Sequence, residues 1–308
     1  MTLRAAFIGS VAFSRTCLEI VANSPSVSLV AVLCPASEDA KFNADYVDLA
    51  PVAERLGIPW MRIRRLSDPD LVTQVAEMRL DVLFVFGLSQ LIPRPVFALP
   101  RLGSIGTHPS LLPQGRGRHP LIWALVQGLN ETGLSFFWLD DGPDTGDILW
   151  QRRFEIDVDD DAAVLYSRIQ HLAADGLNEF LPMLDKGIVP RQPQDHSKAT
   201  VWRKRTKADG EIRWDRPAME AHNLIRALTH PYPGAHTFWQ GVELKIWRSR
   251  PPFAWNGETP RVRPGTVIRR TSHGFAVQCS DLALDVVCVT SQRSTLPEVG
   301  NTLGTSQG

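Results

Sequence analysis

Along its first two hundred residues the chain alternates between continuous apolar runs and stretches whose apolar residues recur at helical spacing. The runs are RAAFIGS, VSLVAVLC and DVLFVFG. The helical stretches are RTCLEIVAN, then LAPVAERLG, stopped by Gly57, and DPDLVTQVAEMR, opened by an aspartate. Strands that are apolar on both faces and separated by helices belong to a parallel sheet covered on two sides. The pattern predicts a doubly wound α/β domain with ligands at the carboxyl ends of its strands. GSIGTH continues the series as a strand, PLIWALVQG as a helix and TGLSFFWLDD as a strand. DAAVLYSRIQHLAADGLNEFLPMLDKG then reads as a long helix ending at Gly187.

From 188 to 207 the composition turns polar, basic and proline-punctuated, IVPRQPQDHSKATVWRKRTK, and reads as a linker. Beyond it come a helix, AMEAHNLIRALTH, a turn, PYPGA, and the short runs HTFW, VELKIWRS, GTVIRR, FAVQC and LALDVVCV. Short strands at that spacing predict a small antiparallel barrel or sandwich. The expected organisation is one domain over 1–187, the linker over 188–207, a second domain over 208–300 and a disordered tail over 301–308.

With 44% hydrophobic and 21% charged residues, the 308-residue chain has the make-up of a globular protein with a real core. No apolar run approaches a membrane span, and MTLRAAFIGSVAFS lacks the zones of a signal peptide. A cytoplasmic protein without a membrane partner is expected. Lys plus Arg and Asp plus Glu each total 33, which argues against a general nucleic-acid coat. The charge is uneven, net −6 over 1–200 and +6 over 201–308. That fits an anionic group near the C-terminal part, or a solvated basic face. Cys17, Cys34, Cys279 and Cys288 are far apart, with no CxxC pair, and read as reduced thiols; no metal site is expected.

Gly9, after the first strand, invites a dinucleotide reading, but Val11 stands where the second glycine of GxGxxG belongs. His108 follows an apolar strand, where open α/β sheets place their sites, and can exchange a proton near neutral pH. A satisfied structural histidine is the alternative. The stretch WLDDGPDTGDILWQ is a second strand end, carrying Asp140, Asp141, Asp144 and Asp147. It lacks the distal glutamate of a calcium loop. One of its carboxylates is a candidate to orient and charge an imidazole from the neighbouring strand.

HPSLLPQGRGRHP, followed some thirty residues later by DDGPDTGDIL, resembles the signature of the methionyl-tRNA formyltransferase family. The resemblance extends from about Leu3 to about Val289 and takes in FVFGLSQLIP and IRALTHPYPGA. It implies a Rossmann-like catalytic domain, an OB-like C-terminal domain and 10-formyltetrahydrofolate as one-carbon donor. It also implies that His108 is the acid/base and Asp144 the carboxylate that orients it. Gln90, Leu91 and Ile92, the turn Ser110, Leu111, Leu112 and Pro113, Arg118, and the loop Asp140, Asp141, Gly142 and Pro143 match segments that hold the folate. A flat pteridine rich in donors and acceptors suits irregular backbone at strand ends.

The family carries Asn two residues before the histidine, where its amide stabilises the oxyanion; here that position is Gly106. Losing one such donor costs about 10²–10³ in rate. Thr107 and Ser110 are nearby candidates to replace it. Members with the same Gly-x-His pattern look like formyltransferases of small molecules. The stretch after the second strand holds Glu38 and Asp39 ahead of Lys41, unlike a basic RNA clamp, and HPYPGAHTF is similar to the sugar-nucleotide enzymes. The expected acceptor is a nucleotide-linked amino sugar, with arginines such as Arg116 neutralising its diphosphate. Methionyl-tRNA and a siderophore-type hydroxyornithine amine are the alternatives among enzymes. A non-catalytic binder of folate or sugar nucleotide is the alternative outside them, and a homodimer stays open.

Overall fold

Residues 2–36, 45–253, 262–291 and 295–304 are described by the computed structural model of the chain. Two compact units share the chain. The first comprises Met1–Pro120, Thr132–Phe154 and Ser167–Trp202; the second comprises Leu121–Glu131, Glu155–Tyr166 and Arg203–Gly308.

The first unit is built on the predicted alternation. Strands Leu3–Ile8 (β1), Val27–Pro35 (β2), Trp60–Ile63 (β3), Val82–Val85 (β4) and Gly103–His108 (β5) pair in parallel. Helices Ala12–Asn23 (α1), Ala50–Arg55 (α2), Pro69–Glu77 (α3) and Arg94–Phe97 (α4) fall between them. The Asp68 carboxylate accepts from Asp70 N at 3.1 Å and caps α3, with Pro69 in the first turn. Successive strand residues serve opposite faces. Ala6 and Ile8 join Leu33, Leu83, Val85, Leu71 and Val75 in one core cluster. Phe7 meets Phe86 edge-on at 5.5 Å, on through Phe136 to Phe180 at 4.9 Å.

Further along lie Arg116–Gly117 (β6), Pro120–Val126 (α5), Glu131–Trp138 (β7), Ile148–Glu155 (β8), Ala162–Asp185 (α6) and Val201–Trp202 (β9). The seven-stranded order is β3-β2-β1-β4-β5-β7-β8, so strand order reverses between β1 and β4. Two points differ from the all-parallel expectation. β7 pairs antiparallel with β5, and β8, unmarked in the hydrophobic pattern, forms the far edge. Its exposed residues, Gln151, Arg152, Arg153 and Glu155, are polar because an edge strand needs no apolar outer face.

The stretch 188–207 is not a free linker. Gln192 exchanges backbone bonds with Ile148, at 2.8 and 2.9 Å, and β9 pairs in parallel with β6. Proline and polar side chains give this stretch a linker's composition, while its backbone and its buried Gln194 find partners in the first unit.

The second unit holds helix Ala218–Leu228 (α7) and strands Ala235–Trp239 (β10), Val242–Ser249 (β11), Val267–Arg270 (β12), Phe275–Gln278 (β13) and Ala283–Ser291 (β14). The strands form an antiparallel sheet in the order β10-β11-β14-β13-β12. The expectation of disorder from 301 fails for 301–304. Thr302 bridges Thr266, just before β12, Gly304 bridges Phe238 of β10, and Leu303 is buried. Two sheet edges with unpaired backbone groups accept this segment as a seam. Residues 305–308 lie outside the described residues.

Helix α7 anchors the inner segment 155–166 of the same unit. Arg226 Nη1 donates to Asp157 O and Asp160 O, both at 2.9 Å. His222 Nε2 donates to Val158 O at 3.1 Å, so Nδ1 accepts from the Ser249 hydroxyl at 2.9 Å. Burial is the main cause that holds the His222 pKa below the ordinary 6.5 and so favours the neutral ring. His236 is lowered in the same direction, again chiefly by burial. Below pH 6.5 the unfolded chain therefore binds protons that the folded one refuses, so stability present above that value is lost as pH falls. The thermal midpoint should drop between about pH 7.5 and about pH 5.5, and the drop should be smaller in His222→Gln. An unchanged pH slope in that variant would remove His222 from the account.

Candidate active site

β5 delivers His108 to the carboxyl edge of the sheet, one strand beyond the reversal between β1 and β4. The reversal itself is closed. Ser14 Oγ accepts from Ser10 N and Val11 N, each at 3.2 Å, and donates to Phe86 O at 2.6 Å. The amides that would receive a dinucleotide's phosphates are thus already satisfied. A Cβ on Gly9 would run into Phe86 O and Ser14, so that glycine is there for a close approach.

After His108 the chain leaves the ladder, and its polar groups are met one by one. Ser110 O accepts from Ser135 Oγ at 2.7 Å, and Leu112 N donates to the same hydroxyl at 3.3 Å. Leu112 O accepts from Gln151 Nε2 at 3.0 Å. Gly115 N donates to Thr200 Oγ1 at 2.8 Å, and Arg118 N donates to Trp202 O at 3.0 Å. A Cβ on Gly115 would strike the Trp202 ring and one on Gly117 the Trp202 carbonyl. The glycines of QGRGR are therefore set by contact with Trp202.

The imidazole of His108 is 5% exposed. Its Nε2 lies 2.7 Å from Gly115 O, which can only accept, so Nε2 carries the proton. Its Nδ1 faces Asp144 Oδ2 at 3.6 Å, and that same oxygen accepts from Gly117 N at 2.9 Å. Asp144 has φ +58°, a left-handed conformation that costs a non-glycine residue about 1–3 kcal/mol and persists only when its surroundings enforce it. The other carboxylates of the loop turn elsewhere. Asp140 accepts from Gly142 N and Thr145 Oγ1, and Asp141 pairs with Arg94 at the surface. Among the described residues no three His, Cys, Asp or Glu side chains are grouped to hold a metal, and no helix is long and apolar enough to cross a membrane.

The remaining sequence candidates are divided. Leu91 is 75% exposed, Gln90 is also exposed, and Ile92 is buried in the core cluster with Leu83 and Val96. Leu139 packs both on that cluster and on a small one of Leu112, Phe137 and Ile148, linking the 90–92 and 110–113 segments. Leu111 and Pro113 are half-buried, and Asp141, Pro143 and Arg118 are exposed. Ser110 is buried and its hydroxyl donates to Gln114 O at 2.7 Å, within its own turn. Arg116 is 7% exposed, bonded to Gln194 Oε1 at 2.7 Å and His196 Nδ1 at 2.9 Å, a placement unlike a diphosphate clamp in solvent. Gln194, Thr200 and Trp202 were missed because they sit in a stretch with a linker's composition. The one available signal was the indole of Trp202 within it.

The formyl transferase family matches residues 5–181, and its C-terminal domain matches residues 204–297. The chain belongs to the formyl transferase family. A methionyl-tRNA formyltransferase of Geotalea daltonii is 36% identical over 229 residues, covering 74% of this chain and 71% of the relative. The N-formyltransferase from Helicobacter canadensis, in complex with folinic acid and dTDP-3-aminofucose, aligns with TM-score 0.69 at 17% identity. That alignment covers 93% of this chain and 99% of the other. HypX from Aquifex aeolicus, in complex with tetrahydrofolic acid, aligns with TM-score 0.64 at 16% identity over 99% of this chain. This chain spans 46% of HypX, about half its length.

For a formyltransferase, the telling departure is Gly106. It lies on the His108 side of β5, directly opposite Phe137 in the ladder. A Cβ there would sit 2.8 Å from Leu139 Cδ2 and 3.0 Å from the Phe137 ring. The space of the family's amide is thus filled with hydrocarbon. Thr107 alternates to the other face, and the Ser110 hydroxyl is engaged, so neither stands in for it. Gly106→Asn should cost about 1–3 kcal/mol by overpacking and give no gain in formyl transfer. Thermal unfolding checks this, and an unchanged midpoint would mean that the space is open.

Proposed function

We propose that this formyltransferase moves the formyl group of 10-formyltetrahydrofolate to the amine of a nucleotide-linked amino sugar, with His108 as general base and Asp144 as its orienting carboxylate. The observation that carries the reading is the cradle around His108. An acceptor lies on each side of the ring, Gly115 O at Nε2 and Asp144 Oδ2 at Nδ1. Two acceptors complement an imidazolium, the form a base takes after accepting a proton. The amine nitrogen bonds to the formyl carbon and loses a proton to the imidazole. The bond from that carbon to the donor nitrogen breaks, and the proton returns to the departing nitrogen. Nε2 is engaged and protonated at rest, so the ring has to release Gly115 O and carry its proton on Nδ1, towards Asp144, before Nε2 can accept the amine's proton.

For the donor, Leu91 offers an exposed apolar surface on a segment anchored by Ile92. The loop 140–143 offers backbone groups to a heteroaromatic edge, with the internally bonded turn 110–113 as its wall, and Arg118 offers a charge to its acidic tail. For the acceptor, zero net charge and the acidic Glu38 and Asp39 support a small molecule over an RNA. The identity to a methionyl-tRNA formyltransferase favours a second reading, methionyl-tRNA.

His108→Asn should lose at least about two orders of magnitude in kcat while still binding tetrahydrofolate, and Asp144→Asn should also lose activity. A fully active His108→Asn protein would remove the mechanism. Turnover of a nucleotide-linked amino sugar and of methionyl-tRNA, each at low and moderate salt, separates the acceptors. The sugar should be formylated with a shallow salt dependence, since it presents only two phosphates, whereas tRNA binding falls steeply with salt. Efficient, salt-sensitive formylation of methionyl-tRNA would overturn the acceptor and leave the base assignment standing.

A further inference from the structure

Gln194 is 6% exposed and touches neither His108 nor open solvent, yet its amide meets the site at three points. Its Nε2 donates to Asp144 O at 3.0 Å and to Gly146 O at 2.6 Å, and its Oε1 accepts from Arg116 Nη2 at 2.7 Å. We propose that Gln194 is a positioning residue for formyl transfer, acting through Asp144, with Arg116 fixing which way round its amide lies. The inference rests on the reading of Asp144 as the carboxylate that serves His108.

A primary amide has a donor end and an acceptor end of nearly equal size, and only its neighbours tell them apart. Arg116 can only donate, so Oε1 must face it and the NH₂ must point the opposite way. There it finds two carbonyls, which can only accept. They flank Thr145, so one side chain grips the backbone on both sides of the turn that carries Asp144. That grip holds Asp144 at φ +58°, and the carboxylate reaches Gly117 N at 2.9 Å and faces His108 Nδ1 at 3.6 Å. The isolated bridge between Ile148 and Gln192 brings Gln194 to this place. Among the described residues Arg116 Nε has no partner, so the guanidinium is buried without being fully satisfied. A side chain placed there for packing alone would not need a charge.

Gln194→Glu keeps the shape and the Arg116 contact but turns two donors into acceptors against two carbonyls. Gln194→Met keeps the length and removes both ends. With each full-length variant, kcat for formyl transfer should fall at least about tenfold while KM for the folate donor and tetrahydrofolate binding stay unchanged. In an Asp144→Asn background, adding Gln194→Glu should cost less than about twofold, because both changes act through one group. Full kcat in the folded single variants would overturn the proposal. So would losses that multiply in the double variant, or failure of both single variants to fold, since Gln194 would then be structural. If Asp144→Asn is itself fully active, the base assignment falls. If it is impaired while Gln194→Glu is not, only the role of Gln194 falls.

Discussion

β5 stops at His108, and the backbone that follows leaves the seven-stranded ladder. Of the ten residues after His108 only Arg116–Gly117 joins a short ladder, with β9, and elsewhere each buried unpaired amide or carbonyl would cost about as much as a lost hydrogen bond. The solution here is distributed. Ser135 and Gln151 answer the first half of the segment from β7 and β8. Thr200 and Trp202 answer the second half. Asp144 answers Gly117 N with the same oxygen that faces the imidazole. One carboxylate thus both satisfies the backbone of this segment and faces the imidazole.

How legible was this in the sequence? The parallel strands were, because VSLVAVLC and DVLFVFG are apolar on both faces and little else folds that way. The pairing of His108 with Asp144 was expected from two motifs that resemble the formyltransferase signature, and the two side chains do face each other at 3.6 Å. β8 was not, since its buried positions are few and its outer face reads as surface. The stretch 188–202 was not, because hydrophobic pattern is blind to segments whose contribution is polar. Gln194 is nearly as buried as Phe137, but nothing in PRQPQDH distinguishes it from a solvated glutamine. The same blindness covers 301–304, where closure of the sheet depends on backbone groups.

Gly106 shows the opposite case, where the sequence marked a departure and the structure supplied its meaning. A side chain added at this position would meet Leu139 and the Phe137 ring at once. His108 is 5% exposed, and in such surroundings the contacts it makes are stronger electrostatically than they would be in water.

The second unit draws on three separate stretches of chain, and its inner pieces are pinned by side chains far along the sequence. Arg226 and His222 close on Asp157, Asp160 and Val158, across more than sixty residues. Recombination that grafted a foreign C-terminal part at one junction near residue 203 would strand those carbonyls without their donors. Exchange of this unit between relatives therefore requires several coordinated crossovers, and variation in it is expected to accumulate by point substitution within an inherited frame.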